Sequence, residues 1–142
     1  MSTQTIERTT LTHLIHNENY CRKVIPFIKS DYFSNRDEKI VFEEIEKFLE
    51  KYNSLPTQEA LSINVDNRKD LTDDEYQKIV ELIGSLNKTE VDFQWLHDET
   101  EKFCKDKAIY NAVLDGIKII DGKDKQRTPE AIPSILSDAL AV

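Results

Sequence analysis

His13 and His16 stand at i and i+3 in a stretch with apolar residues at helical spacing, so both imidazoles fall on one helix face and offer two ligands to a metal ion. Two partly exposed histidines are the plainer reading. His97 lies far along the chain beside Asp98, and neither completes a ligand set. Cys104 has no histidine near it in sequence and falls beside an apolar stripe, which suits a buried structural cysteine better than a nucleophile. Cys21 reads the same way, although Arg22 and Lys23 beside it would favour the thiolate. Glu43, Glu44, Glu46 and Glu50 suggest carboxylate pairs for acid–base work, but Lys39, Lys47 and Lys51 share their helix, and a solvated, salt-bridged outer face is the simpler expectation. The acidic loop 66–74 lacks the D-x-[DN]-x-[DN]-G pattern of a calcium site. The three glycines, Gly84, Gly116 and Gly122, lie too far apart for a G-x-x-x-x-G-K-[ST] phosphate loop or a G-x-G-x-x-G dinucleotide turn. No catalytic residue, cofactor or metal is therefore expected.

The elements around these residues read as helices throughout. The 142 residues suit one domain, 32 % of them charged, and only three glycines and four prolines interrupt the pattern, too few for a many-turned β-fold. A first helix is expected over 10–17, with Thr10 or Thr12 as cap and Leu11, Leu14 and Ile15 inward. A second is expected over 18–29, burying Tyr20, Val24, Phe27 and Ile28, with a kink or restart at Pro26. A third runs from about Asp37 to Tyr52, with Ser34 and Asp37 at capping-box spacing. Thr57 caps a short fourth helix over 58–63. Thr72-Asp73-Asp74-Glu75 is a full capping box and opens a fifth.

From Asp92 to Ile120 there is no proline and one glycine, which predicts a single helix some 40 Å long. Leu96, Phe103, Tyr110 and Ile117 recur every seven residues along it. In its second half Ile109, Ala112, Val113, Leu114, Ile117, Ile119 and Ile120 cover more than one face, and a helix apolar on two sides must bury both. A polar turn over 122–127 and Thr128-Pro129 then start a last helix with Ile132, Ile135, Leu136, Ala139 and Leu140 as its stripe; Pro133 is an alternative start. The expected fold is all-α: a small helical bundle over 1–90, then a C-terminal helical hairpin over 91–142 in the same domain.

This hairpin is the strongest functional signal. Its two apolar sides can be satisfied by the bundle and the last helix, or one of them can meet another copy of the hairpin. A hairpin projecting from a bundle does not cover both faces alone, which favours self-association. Phe93 and Trp95, at the start of the long helix, serve either as an exposed hot spot or as an anchor onto the bundle.

Acidic residues outnumber basic ones 27 to 19, for a net charge of −8. A duplex-binding domain gathers lysine and arginine, so a protein partner is expected rather than tight autonomous DNA binding, with at most a local basic patch near Arg22 and Lys23. The N-terminus lacks a signal peptide, no apolar run spans a bilayer, and the two distant cysteines suggest no disulfide, so the expected place is the cytoplasm, with no membrane partner. The chain stops at Val142 in mid-pattern, which leads one to expect a longer natural protein.

The stretches LTHLIHNENYCRKVIPFIKSDYF (11–33), SLPTQEAL (54–61), FQWLHDETEKFCKDKAIYNAVLDGI (93–117) and AIPSILSDAL (131–140) together resemble the N-terminal domain of DnaB-type replicative helicases, in its T-even phage form. None is a catalytic signature; order, spacing and character carry the resemblance. It implies a non-catalytic assembly domain whose hairpins pair between subunits into a collar on a hexameric ring, and which receives primase and, in some systems, a loader. The ATP-dependent motor would lie in a separate C-terminal domain. Mapped onto this chain, the pairing surface would comprise Phe103, Tyr110, Val113, Ile117, Ile120, Ile132, Ile135 and Leu136. The rival expectation is a free-standing phage adaptor or regulator that binds a replication or host protein.

Overall fold

The first six helices each begin where a short polar side chain can accept from the otherwise unpaired amides of a first turn. In the computed structural model, which describes residues 5–142, these caps set the element boundaries. Thr5 caps α1 (Ile6–His16), Asn17 caps α2 (Glu18–Val24), Asn35 caps α3 (Arg36–Tyr52) and Thr57 caps α4 (Gln58–Asp66). Thr72 and Glu75 form the expected capping box of α5 (Asp73–Ser85), and Asp92 caps α6 (Phe93–Ile120). A 3-10 turn over Pro129–Ala131 leads into α7 (Ile132–Leu140). Among the described residues the fold is all-α.

Several boundaries differ from the expected ones. α1 starts four residues earlier than Thr10, so Thr10 and Thr12 lie inside the helix, where Thr12 turns its hydroxyl back onto the Arg8 carbonyl at 2.9 Å. Asn35, rather than Ser34, caps α3: its side-chain oxygen takes both the Asp37 and the Glu38 amide. α4 continues three residues beyond Ile63. α2 ends at Val24 instead of Lys29, because Pro26 has no N–H to donate and its ring crowds the preceding turn. The chain therefore leaves the helix before Phe27, which is 66 % exposed rather than buried.

α3 is the central element, packed by α1, α4 and α5, while α6 crosses the bundle against α1 and the 3-10 turn at Ser30–Tyr32. Leu11, Leu14, Tyr20, Phe42, Ile45, Leu61, Ile79 and Leu96 fill the core. An aromatic group ties the first half of α6 to it: Phe103 meets Phe33 at 5.6 Å and Tyr32 at 6.4 Å, and Phe33 stacks on Phe42 at 5.0 Å. Tyr20 and Thr100 add a buried polar contact of 2.6 Å; the Thr100 hydroxyl donates to the Leu96 carbonyl, so the tyrosine is the donor between them. Burial pushes the Tyr20 hydroxyl up to about 12, which keeps it protonated and able to donate.

The last bundle contacts along α6 are the Lys107 ammonium on Ser34 Oγ at 2.7 Å and the Asn111 amide on the Asp31 carbonyl at 3.0 Å. Beyond Asn111 the long helix is accompanied by α7 and the turn preceding it. The hairpin turn is tightly specified. Gly122 adopts φ +74°, the left-handed conformation that favours glycine, and Lys123 donates back to the Lys118 carbonyl at 2.9 Å. Asp124 accepts from the Gln126 and Arg127 amides and from Arg127 Nε at 2.6 Å. These bonds hold its carboxyl below the usual range.

Candidate interaction surface

The second half of α6 has two apolar sides, as the sequence implies, and α7 takes one of them. The covered side is built from small residues at intervals of four: Ala108, Ala112 and Gly116 are buried, with Ile119 beside them. The last helix lies over Gly116, where a Cβ would meet Ile132 Cγ2 at 3.7 Å, an ordinary contact. Ile132, Ile135 and Ala139 are partly buried.

The other side stays open. Tyr110, Val113, Leu114, Ile117 and Ile120 run along it as a nearly continuous exposed stripe, Ile117 at 49 % and Ile120 at 70 % exposure. Ile109 lies at its edge, and Leu136 and Leu140 are exposed on α7. Soluble monomers rarely present a large contiguous apolar patch, and nothing among the described residues covers this one. Charged residues are not absent from this side: Asp106 pairs with Lys102 a turn or more nearer the bundle.

The structure therefore divides the eight residues assigned to a pairing surface. Tyr110, Val113, Ile117, Ile120 and Leu136 are exposed. Ile132 and Ile135 are half-buried toward α6. Phe103 is a correction: at 5 % exposure it belongs to the bundle's aromatic core and offers no surface. Leu114, which the sequence places in the apolar second half of α6 but outside those eight residues, is exposed on the same side. Phe93 and Trp95 are both exposed, Trp95 at 48 %, and neighbouring Leu96 is the residue that anchors the start of α6. The Phe93 ring lies 5.6 Å from the Lys23 ammonium.

The chemical candidates have structural roles. His13 is buried rather than partly exposed, edge-on to Tyr20 at 6.1 Å, and desolvation lowers its pKa. His16 Nε2 donates to the Leu86 carbonyl at 2.7 Å, and the Thr89 hydroxyl sits 3.4 Å from His13 Nε2, so the two rings hold the connector between α5 and α6. Cys21 and Cys104 are both buried and free, and burial pushes each thiol up to about 11. For Cys21 this outweighs the neighbouring Arg22, contrary to the lowered value its basic neighbours suggested. Arg22 is engaged elsewhere: it donates to the Asn53 side chain and carbonyl, both at 2.8 Å. Glu44 is also a correction. It is buried, not on an outer face, and binds Arg68 at 2.9 Å and Lys47 at 3.2 Å.

Among the described residues, no helix is long and apolar enough to cross a membrane. No protein-family model matches the chain. Over 140 residues, 93 % of its length, it is 33 % identical to a DnaB-like replicative helicase of Enterobacteria phage T4. The chain spans 29 % of that relative's length, a share consistent with an N-terminal domain.

Proposed function

We propose that this chain, a relative along nearly its whole length of a DnaB-like replicative helicase, is the non-catalytic collar and assembly domain of such a helicase in phage DNA replication. The observation that carries the reading is the exposed stripe of Tyr110, Val113, Leu114, Ile117 and Ile120, on the side of the hairpin that α7 leaves open. Burying one such side chain is worth about 1.5–3 kcal/mol, so a few of them meeting their counterparts in a second copy supply a substantial association energy before its entropic cost. Pairing of hairpins would join subunits two by two, and repetition around a ring would give the collar. The motor activity would reside in a separate domain, and the bundle would face primase and, where one is used, a loader. The acidic balance of the chain supports partners that are proteins.

Cross-linking tests the pairing. Both native cysteines are buried, so a cysteine introduced at Val113 is the accessible thiol. In Val113→Cys a short bis-maleimide should join two chains in high yield, while Glu81→Cys on the bundle, also exposed, should give only the background. Equal yields from the two positions would count against the hairpin as the contact.

A further inference from the structure

A second surface lies near the bundle end of α6. The small-residue row that seats α7 also runs along α6 toward the bundle: Thr100, Cys104, Ala108, Ala112 and Gly116 follow one another at intervals of four and are all buried. α7 runs antiparallel over the distal part of this row, with Ile132 at Gly116, and the chain reaches the level of Cys104 at Val142. There a cleft of about 280 Å³ opens, with Thr100, Cys104 and Val24 beneath it and Phe27 and Val142 beside it.

Three properties define what this cleft can take. Among the described residues its floor offers no strong hydrogen-bonding group beyond a weakly donating thiol. The Thr100 hydroxyl is engaged with Leu96 and Tyr20, and burial keeps the Cys104 thiol protonated. The occupant must therefore be apolar where it enters. The volume is below the roughly 300–1,000 Å³ of clefts that enclose a small-molecule ligand, and is closer to the space needed by one or two bulky side chains. The mouth carries a positive excess on a chain of net charge −8: Lys23 and Lys105 line it against one acidic residue, Glu101, which is bonded to Lys105 at 2.8 Å. Phe27, displaced from the core by Pro26, stands 66 % exposed as a wall against which an entering side chain can pack.

We infer that the cleft between the end of α2 and the first half of α6 docks a segment of a partner protein, anchored by a bulky apolar side chain and flanked by carboxylates that meet Lys23 and Lys105. It uses the opposite end of α6 from the exposed hairpin stripe and holds whether or not the hairpins pair. Carboxylates give such a segment its preference for this cleft over the rest of an acidic surface.

The test titrates the isotope-labelled 142-residue chain with a synthetic peptide carrying a Leu-Phe anchor flanked by glutamates, and with the same peptide carrying lysines instead. Saturable amide shifts should gather at Lys23, Val24, Phe27, Thr100, Cys104 and Lys105, and the glutamate peptide should bind at least tenfold tighter than the lysine one. Phe27→Ser and the double change Lys23→Glu with Lys105→Glu should each weaken binding at least tenfold, with the helical circular dichroism and melting midpoint unchanged. Absence of saturable shifts would overturn the inference. So would shifts centred on the hairpin stripe, or equal binding of the two peptides.

Discussion

The two halves of α6 differ in what surrounds them more than in what they are made of. From Phe93 to Asn111 the helix lies against a bundle, and Leu96, Thr100, Phe103 and Cys104 disappear into it. From Ala112 to Ile120 a single short helix accompanies it, and a row of large aliphatic side chains stays in water. Position in the seven-residue row does not decide burial: Phe103 is 5 % exposed, and Tyr110, one repeat later, is 56 %. A helix drifts only about 20° per seven residues, so the face is nearly the same and what has changed is the neighbour. An apolar stripe thus records that a face must be covered, and does not record by what.

The sharpest contrast is between equivalent truncations in the two regions. Phe42→Ala, in the core beneath Phe33, should lower unfolding stability by about 3–5 kcal/mol, read by urea denaturation. Ile120→Ala, at 70 % exposure, should stay within about 0.5 kcal/mol of the parent at dilute, monomeric concentration. A large loss for Ile120→Ala under those conditions would mean that its side is already covered within one chain.

The buried histidine gives the bundle a pH signature that the hairpin lacks. Burial lowers the pKa of His13 in the fold from the ordinary 6.5. The unfolded chain therefore binds the proton first. The stabilisation by neutral His13 is complete above pH 6.5 and is lost as pH falls from there through the lowered folded value. Glu38, whose carboxyl burial raises above 4.5, acts in the opposite direction at lower pH. The difference between the parent and His13→Asn isolates the histidine. The parent should lose stability relative to the variant on acidification from pH 7 to pH 5.5, and parallel curves would refute the assignment.

The smallest effect concerns the seat of α7. Gly116 lies inside a helix, with open contact distance to Ile132. Gly116→Ala should stabilise the chain by about 0.5–1 kcal/mol, because alanine restricts the unfolded backbone and its methyl makes an ordinary contact at 3.7 Å. A lower melting temperature would show that α7 sits closer than this.

Much of the architecture was legible because its signals are local. The Thr72–Glu75 capping box, the proline-free run to Ile120 and the Gly122 turn each fix an element from within a few residues. The assignments that moved depend on contacts between distant parts of the chain. Phe103 looks like a hairpin residue until the 3-10 turn brings Tyr32 and Phe33 onto it. Glu44 looks solvated until Arg68, 24 residues on, closes over it. The seat of α7 was faint for a different reason: alanine and glycine contribute little hydrophobic pattern, so attention to large side chains points to the open face and overlooks the covered one. The spacing of four between Cys104, Ala108, Ala112 and Gly116 was the available signal.

The central claim is that the open side of the distal hairpin joins two copies of the chain. Sedimentation velocity across a range of concentrations tests it most directly, with the parent compared against Ile117→Asp, which places a charge in the middle of the stripe. The parent should shift to a faster species as concentration rises, while Ile117→Asp should remain monomeric with the same helical content and melting behaviour. A parent that stays monomeric at every concentration, or an Ile117→Asp profile that follows the parent's, would contradict it.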